Sequence, residues 1–386
     1  MSIVTDKNGQ YYLAFSYFFK IGPAKLKRLE VFFPNIAAAF HAQAYYLERA
    51  GLEPSLAAEF IRWRKTFDIS RTLAELAASG TRFITWHDPL YPALLEQIPY
   101  PPPVLFYWGD WQPEREIKPR RLAVVGSRQP SAYAAKVIGE LLPPIITSGV
   151  EIISGLALGV DALAHQATVM NNGRTIAVLG SGLDEDHIYP RENRPLLKNI
   201  LASGGLVISE FPPGVPALKT NFPRRNRIIA GLAQATLIVE ARVKSGALIT
   251  AGAALEQNRE VLAVPGNIFS ELSAGPNNLI KEGAKSATCP EDIGEVFGLA
   301  FDKTAAGGFG DQLEQWGGEE EKIVYEIIRQ AAERGEKISA DEIISQAASR
   351  TAEANKLDTA TINSILSILE IKEMIASRDG AYELKN

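Results

Sequence analysis

Gly126-Ser127-Arg128 puts a backbone free to turn, a hydroxyl and a forked cation side by side. That set suits phosphate oxygens. Ser154-Gly155-Leu156-Ala157-Leu158-Gly159 places glycines just before a helix expected to open at Asp161, where exposed amides attract an anion. Gly180-Ser181-Gly182-Leu183 repeats the glycine-rich pattern, and Lys244-Ser245-Gly246 precedes another helix. The longest loop follows Glu210. It holds Lys219, Phe222, Arg224, Arg225, Asn226 and Arg227, so four cations and one ring fall within nine positions. Cations along phosphates and a ring against a base are what an unpaired nucleic-acid strand requires. A mononucleotide asks for the same groups.

A structural explanation stands beside each residue. Arg225 and Arg227 have Glu192 or Glu210 as partners within the fold. Phe222, next to Pro223, suits a core. Asp161 suits a helix cap, and Glu240 has Arg242 or Arg227 to pair with. Singly, each is as well explained by structure as by a ligand. Together at strand ends they point to a phosphate site, with amides after Gly126, Gly155 and Gly180 as further donors. No catalytic constellation accompanies them. The first strand is not followed by Gly-x-Gly-x-x-Gly, and no Gly-x-x-x-x-Gly-Lys-Ser/Thr occurs. Ser127 has no histidine near it in sequence. His41, His87, His165 and His187 lack ligand spacing, and the lone Cys289 excludes an internal disulfide or a cysteine-based metal site. Neither metal nor cofactor is expected.

The elements that position these loops are legible as a rhythm. Leu122–Val125, Val150–Ser154, Thr175–Leu179, Leu206–Ser209, Thr236–Val239 and Val261–Val264 read as strands. Ser131–Ser148 (perturbed near Pro143-Pro144), Asp161–Asn171, Arg191–Ala202, Arg225–Ala233 and Ser245–Gln257 read as the helices between them. Aliphatic runs of this kind suit strands covered on both faces. The fold class is therefore α/β, a Rossmann-like, doubly wound, mostly parallel sheet. In such sheets ligands bind beyond the carboxyl ends of the strands.

Four parts are expected along the chain. Residues 1–75 form a helical unit, with Tyr11–Phe19 and Ala24–Phe33 as helices around the break Ile21-Gly22-Pro23. That unit resembles a helix-hairpin-helix or SAM-like module; Pro23 removes one turn amide, which favours packing over phosphate binding. Residues 76–298 hold a Pro- and aromatic-rich connector, with Val104–Trp108 as an edge strand, and then the sheet. Residues 299–318 are a glycine-rich linker. Residues 319–386 read as a winged helix: helices at Glu320–Arg334, Ser339–Ala348 and Asp358–Leu369, then a hairpin around Asp379-Gly380. The third helix carries no Lys or Arg between Thr359 and Leu369, which favours a protein contact or packing over reading a duplex.

Composition sets the outer bounds. The 386 residues carry a formal charge of −5, so any anion binding must be local. The apolar share of 46% is that of an ordinary globular protein. No apolar run approaches the ~18 residues of a membrane span, and no basic-then-apolar leader opens the chain. A cytoplasmic protein with no membrane contact is expected.

The sequence resembles the DNA-processing protein A family, DprA, also called Smf. The likeness is carried by Asp88-Pro-Leu-Tyr-Pro92, Val125-Gly-Ser-Arg128, Ser154-Gly-Leu-Ala157, Gly159-Val-Asp161 with His165, and Thr175-Ile-Ala-Val-Leu-Gly180. It continues through Gly182-Leu-Asp184, Tyr189-Pro190, Ser209-Glu210, Phe222-Pro223 with Arg225-Asn-Arg-Ile-Ile-Ala-Gly231, and Ala263-Val-Pro-Gly266. The resemblance implies a Rossmann-like domain that binds single-stranded DNA without cutting it, dimerises through that domain and loads RecA recombinase in natural transformation. It matches the family's key arginine to Arg128, and its lysine and aromatic to Lys219 and Phe222. The sequence departs from the family pattern at Leu158, where many relatives carry Arg, at Ala134 and at Pro23. The rival reading is an enzyme acting on a nucleotide or its derivative, with Glu256 and Asp184 as the nearest acids.

Overall fold

Short aliphatic runs, buried on both faces, make the centre of one sheet. These are β3 (Arg121–Val125), β4 (Glu151–Ser154), β5 (Thr175–Leu179), β6 (Leu206–Ser209), β7 (Ala235–Ile238) and β8 (Glu260–Ala263). Each fully buried Val, Leu or Ile there contributes about 1.5–3 kcal/mol over an exposed one. This computed structural model describes residues 8–112, 119–299, 319–334 and 337–350, with 361–362, 365–366, 369, 375–378 and 381–384. They belong to two compact units, Met1–Ala300 and Phe301–Asn386.

In the first unit, with β1 (Arg82–Thr85) and β2 (Val104–Gly109) added, nine strands run in the order β1-β2-β6-β5-β4-β3-β7-β8-β9. β9 is the short strand Lys285–Ser286. From β6 to β9 all neighbours are parallel. β3 lies between β4 and β7, so the winding reverses there. The expected strands recur within a residue or two, and the Rossmann-like parallel sheet is the observed fold.

The edge is built differently from expectation. β2 (Val104–Gly109) is not an edge strand. It pairs antiparallel with β6 on one side and with β1 (Arg82–Thr85) on the other. β1 went unread because His87, Pro89 and Pro92 follow it closely and mask a four-residue run. Trp86 anchors this corner: its ring is buried against Tyr12, and its Nε1 donates to Glu30 Oε1 at 2.9 Å. The N-terminal helices thus join the sheet in one unit. They begin with Gly9–Tyr17 and Pro23–Phe32, separated at Gly22 as the sequence suggests.

Two helices differ informatively. Ala132–Thr147 runs unbroken through Pro143 and Pro144. Two backbone donors are lost, but Leu141, Leu142, Ile145 and Ile146 are buried and hold it in place. The helix expected at Arg225–Ala233 starts four residues earlier, at Asn221. Pro223 reads as loop in sequence, yet it falls in the first turn, where no backbone N–H is needed. Phe222 and Arg224 therefore project from a helix rather than a loop.

The second unit packs helices Glu319–Glu333 and Ala340–Arg350 on a three-stranded antiparallel sheet, β10 (Ile338–Ser339), β12 (Ala381–Leu384) and β11 (Ile375–Arg378). Val324, Ile327, Ile328, Ile343, Ile362 and Leu366 are buried in its core. The expected linker from residue 300, the hairpin turn Asp379-Gly380 and much of the expected third helix lie outside the described residues.

At the amino ends of the sheet strands, away from the glycine loops, Glu151 is clamped by two arginines. Arg121 Nε donates to Glu151 Oε2 at 2.8 Å, and Arg174 Nη1 donates to Oε1. Burial pushes the Glu151 carboxyl up, but the two guanidinia outweigh it and hold the group below the usual carboxylate range. A lowered folded pKa means that the stabilisation is complete above the unfolded value and fades as pH falls through the folded one. Glu151→Ala leaves Arg121 buried without its carboxylate and should cost about 3–5 kcal/mol at pH 7. Urea unfolding followed by tryptophan fluorescence should show that deficit narrowing as pH falls below that of an ordinary glutamate.

Candidate nucleic-acid interface

The carboxyl ends of β3, β4, β5 and β6 form one rim, and the winding reversal between β3 and β7 lies on it. After β3 the chain turns at Gly126. A Cβ there would stand 2.7 Å from Val160 Cγ2 and 2.9 Å from the Glu240 carbonyl. Glu240 is buried and pairs with neither Arg242 nor Arg227. It accepts from the Ser131 amide at 2.9 Å and the Ser131 hydroxyl at 2.5 Å, tying the loop after β3 to the end of β7. Ser127 is spent locally, its Oγ accepting from the Gln129 amide at 3.1 Å. Arg128 is left exposed, pointing along the rim.

Arg128 meets Phe222. Its guanidinium carbon lies 5.3 Å from the centroid of the Phe222 ring. That ring rests on Gly180, where a Cβ would stand 2.9 Å from Cδ1. Gly180 thus leaves room for the Cδ1–Cε1 edge of the ring. Tyr189 extends the aromatic surface, its ring 5.9 Å from Phe222 and 52% exposed. Sequence reasoning did not single out Tyr189. It belongs to a different loop, and only the fold brings it beside Phe222. Phe222 itself is half-buried, so it is neither pure core nor freely projecting.

Lys219 and Arg224 flank the N-terminus of the helix Asn221–Gly231, and both are exposed. No acidic residue occupies its first turn. Cations at the positive end of a helix are unfavourable unless an anion joins them. Arg224 lies 5.3 Å over the Phe211 ring, with its Nε 4.0 Å from Glu210 Oε1. Lys244 is exposed on the loop before the helix Gly246–Glu256, which Asn226 holds by donating to the Gly246 carbonyl at 3.2 Å.

The same helix turns its other residues inward, which revises three expected contacts. Arg225 is 4% exposed; it donates to the Gly155 carbonyl at 2.6 Å and to the Val178 carbonyl. Asn226 is 9% exposed. Arg227 pairs with Glu210, one of the two partners expected, and donates to the Tyr100 carbonyl at 2.7 Å. These three brace the rim from beneath. Gly155 is buried against the Arg225 guanidinium, and its amide donates to Asp161 Oδ2 at 3.1 Å. Asp161 is not the helix cap. Gly159 occupies that place, in a left-handed conformation with φ of 80°. From the first turn, Asp161 reaches back to the Gly155 and Ala157 amides, so those donors are not free for an anion.

Buried charge stiffens this layer. Burial pushes Asp161 up, against the downward pull of Arg225 and the two amides. Arg225 is pushed down to about 10 by burial and remains a cation at neutral pH. His165 falls to about 3 through burial and the Arg225 charge, so it is neutral. The acids named for an enzyme are placed elsewhere. Asp184 accepts from His187 and from the Gly214 amide at 2.7 Å, while Glu256 is exposed at the far end of its helix. Among the described residues no group of His, Cys, Asp and Glu could hold a metal ion.

A family model described as DNA recombination-mediator protein A matches residues 82–298. The chain belongs to the DNA recombination-mediator protein A family. The matched family region holds β1 to β9 and every rim residue above. The chain is 42% identical to Protein Smf of Synechocystis over 278 residues, covering 71% of this chain and 69% of that protein. It is 43% identical over 227 residues to the DNA processing protein DprA of Bacillus subtilis, covering 59% and 75%. The X-ray structure of DNA processing protein A (DprA) from Streptococcus pneumoniae superposes with a TM-score of 0.63 at 32% identity, covering 78% of this chain and all of that one (100%).

Stability should separate the brace from the rim. Arg225→Met leaves two carbonyls and Asp161 without their buried cation and should cost about 3–5 kcal/mol. Arg128→Met and Lys219→Met alter exposed side chains and should stay within about 0.5 kcal/mol of the parent. Urea midpoints at pH 7 measure the contrast.

Proposed function

We propose that this protein binds single-stranded DNA along the rim, without cutting it, and passes it to a recombinase. The single observation that carries the reading is the positive end of the helix Asn221–Gly231. Lys219 and Arg224 flank it, no acid answers them in its first turn, and Arg128 lies over the part-exposed Phe222 ring beside it. Phosphates would take the cations, and a base would stack on Phe222 and Tyr189. Stacking of this kind is available only to bases that are not already paired and stacked. The family is described as a DNA recombination mediator and its relatives as DNA processing proteins, which supports this reading. RecA loading during natural transformation, in the cytoplasm, is the activity we assign.

The second unit serves as a winged-helix-like module for protein contact or packing. A homodimer through the sheet unit completes the reading. Its candidate face is the loop after β8, where Ile268 is 82% and Phe269 is 89% exposed. Phe269→Glu should turn a dimer into a monomer in sedimentation velocity. A species of unchanged mass would place the contact elsewhere.

Oligonucleotide titrations by fluorescence anisotropy test the central proposal. Affinity should grow with strand length, exceed that for duplex and fall steeply with salt. Arg128→Glu and Lys219→Glu should each weaken binding and flatten the salt slope. Phe222→Ala should cost about 1–3 kcal/mol. Saturable binding or turnover of a free mononucleotide, with no gain from length, would favour the enzyme reading instead.

A further inference from the structure

The rim does not end at β6. The sheet order puts β2 next, and its first residues, Pro103 and Val104, lie beside the carboxyl end of β6. There the turn between the first two helices meets the sheet. Phe19, Gly22 and Pro23 border a narrow crevice together with Phe211 and Arg224. The crevice itself is filled by Phe15, Leu26, Val104 and Phe211, all of them buried. Its lips are open. Phe19 is 52% exposed on the helical side, and the Arg224 side chain is 50% exposed on the rim side. An exposed ring alone is ordinary. This one borders the end of β2, which lies two strand spacings, about 10 Å, from β5, whose following Gly180 lies against the Phe222 ring.

A cation follows. Lys27 lies one helical turn beyond Pro23, on the same face of its helix, with its Nζ 5.1 Å from the centre of the Trp86 ring. The Trp86 amide donates to the Pro103 carbonyl at 3.1 Å, so Lys27 sits at the same edge of the crevice. It is exposed and has no ion-pair partner among the described residues. The one acid of its helix, Glu30, accepts from Tyr12, Trp86 and His87. Charge at larger scale agrees. Residues 8–80 carry nine Lys and Arg against six Asp and Glu, in a chain whose formal charge is −5. The N-terminal helices are thus a basic part of an acidic protein, and a polyanion leaving the rim is drawn toward them.

We infer that the bound strand continues off the sheet and over the N-terminal helices, with a base against the open side of Phe19 and a phosphate on Lys27. This rests on the single-strand reading above and extends it by a second stretch of surface. Arg224 joins the two stretches: it is two residues along its helix from Phe222 and borders the crevice opposite Phe19. No base enters the crevice; the strand passes over its lips. The contacts are made by side chains and do not use the turn amides, one of which Pro23 removes. The helical unit then takes part in binding as well as in packing, and one chain covers a longer piece of strand than the rim alone.

Strand length separates the two stretches. Oligo-dT of about 4 to about 16 nucleotides, the range of site sizes for single-strand grooves, is titrated against the full chain by fluorescence anisotropy. On the longest, Phe19→Ala should weaken binding by about fivefold or more, the worth of one stacked base, and Phe19→Trp should leave it intact. Lys27→Gln should shrink the slope of log K against log salt by about 0.7, the share of one single-strand phosphate contact. On the shortest, which the rim alone can hold, neither substitution should matter. Both side chains are exposed, so the fold is not at stake. Unchanged binding of the longest strand by Phe19→Ala and Lys27→Gln, or a loss equal at every length, overturns the extension. Phe222→Ala is the separate control. If it weakens every length while the other two change nothing, the rim stands and the extension falls; if it weakens none, the single-strand reading itself falls.

Discussion

One buried guanidinium holds the working surface together. Arg225 projects from the inner face of the helix Asn221–Gly231 and bonds carbonyls at the ends of two adjacent strands, Gly155 after β4 and Val178 in β5. Burying a cation is expensive, and it is tolerated only with excellent geometry and compensating charge. Here the carbonyls supply the geometry, and Asp161 supplies the charge. The return is positional. A helix pinned at its fifth to seventh residues, by Arg225, Asn226 and Arg227, presents Phe222 and Arg224 from its first turn at fixed places. Glycine completes the arrangement: a side chain at 155 would strike the guanidinium, and one at 180 would lift the Phe222 ring.

This division of labour explains what the sequence could and could not reveal. The parallel sheet was legible because its strands are aliphatic runs buried on both faces, an unmistakable contrast with the glycine loops. The rim was legible because Arg128, Lys219 and Phe222 keep their chemistry in the open or half-open. The inward residues were not. In the run Arg224-Arg225-Asn226-Arg227 nothing in residue type separates one arginine from the next. Helical phase does, and the phase was hidden because Pro223 disguises the first turn of the helix as loop. Asp161 was misassigned for a similar reason. The cap and the first-turn acid reaching back to loop amides are only two residues apart in sequence, and Gly159 with its positive φ decides between them. Tyr189 and β1 needed tertiary neighbours to gain any meaning.

Charge follows the same logic at larger scale. A chain with a formal charge of −5 has no overall attraction for DNA. Attraction must be focused, and the fold focuses it by consuming some charges and sparing others. Arg121, Arg174, Arg225 and Arg227 are committed to carboxylates or carbonyls. Arg128, Lys219 and Arg224 remain exposed about the start of the helix Asn221–Gly231, and Lys244 before the helix Gly246–Glu256. Leu158, 42% exposed on the same rim, puts an apolar side chain where a cation would have widened the field. The proposed binding surface is therefore weighted toward the β5–β6 side of the rim, where the helix dipole adds to Lys219 and Arg224.

The contact between Arg128 and Phe222 also sets a condition on binding. The guanidinium covers the ring at 5.3 Å, a distance at which the two attract. A base that stacks on Phe222 must either share the ring's faces with Arg128 or displace it. Gly180 lies against the Cδ1–Cε1 edge of the ring, which is half-buried, so little of it remains to share. Displacement is inexpensive only if Arg128 gains something better, and a phosphate oxygen gives it a stronger, charge-assisted bond. Stacking and phosphate binding are thereby coupled: the strand that delivers the base must deliver the phosphate as well. A free base offers the first without the second. A mononucleotide offers both but lacks the neighbouring phosphates that Lys219 and Arg224 would hold. On the proposed reading the surface suits a continuous strand, because such a strand alone would supply everything that its parts release one another for.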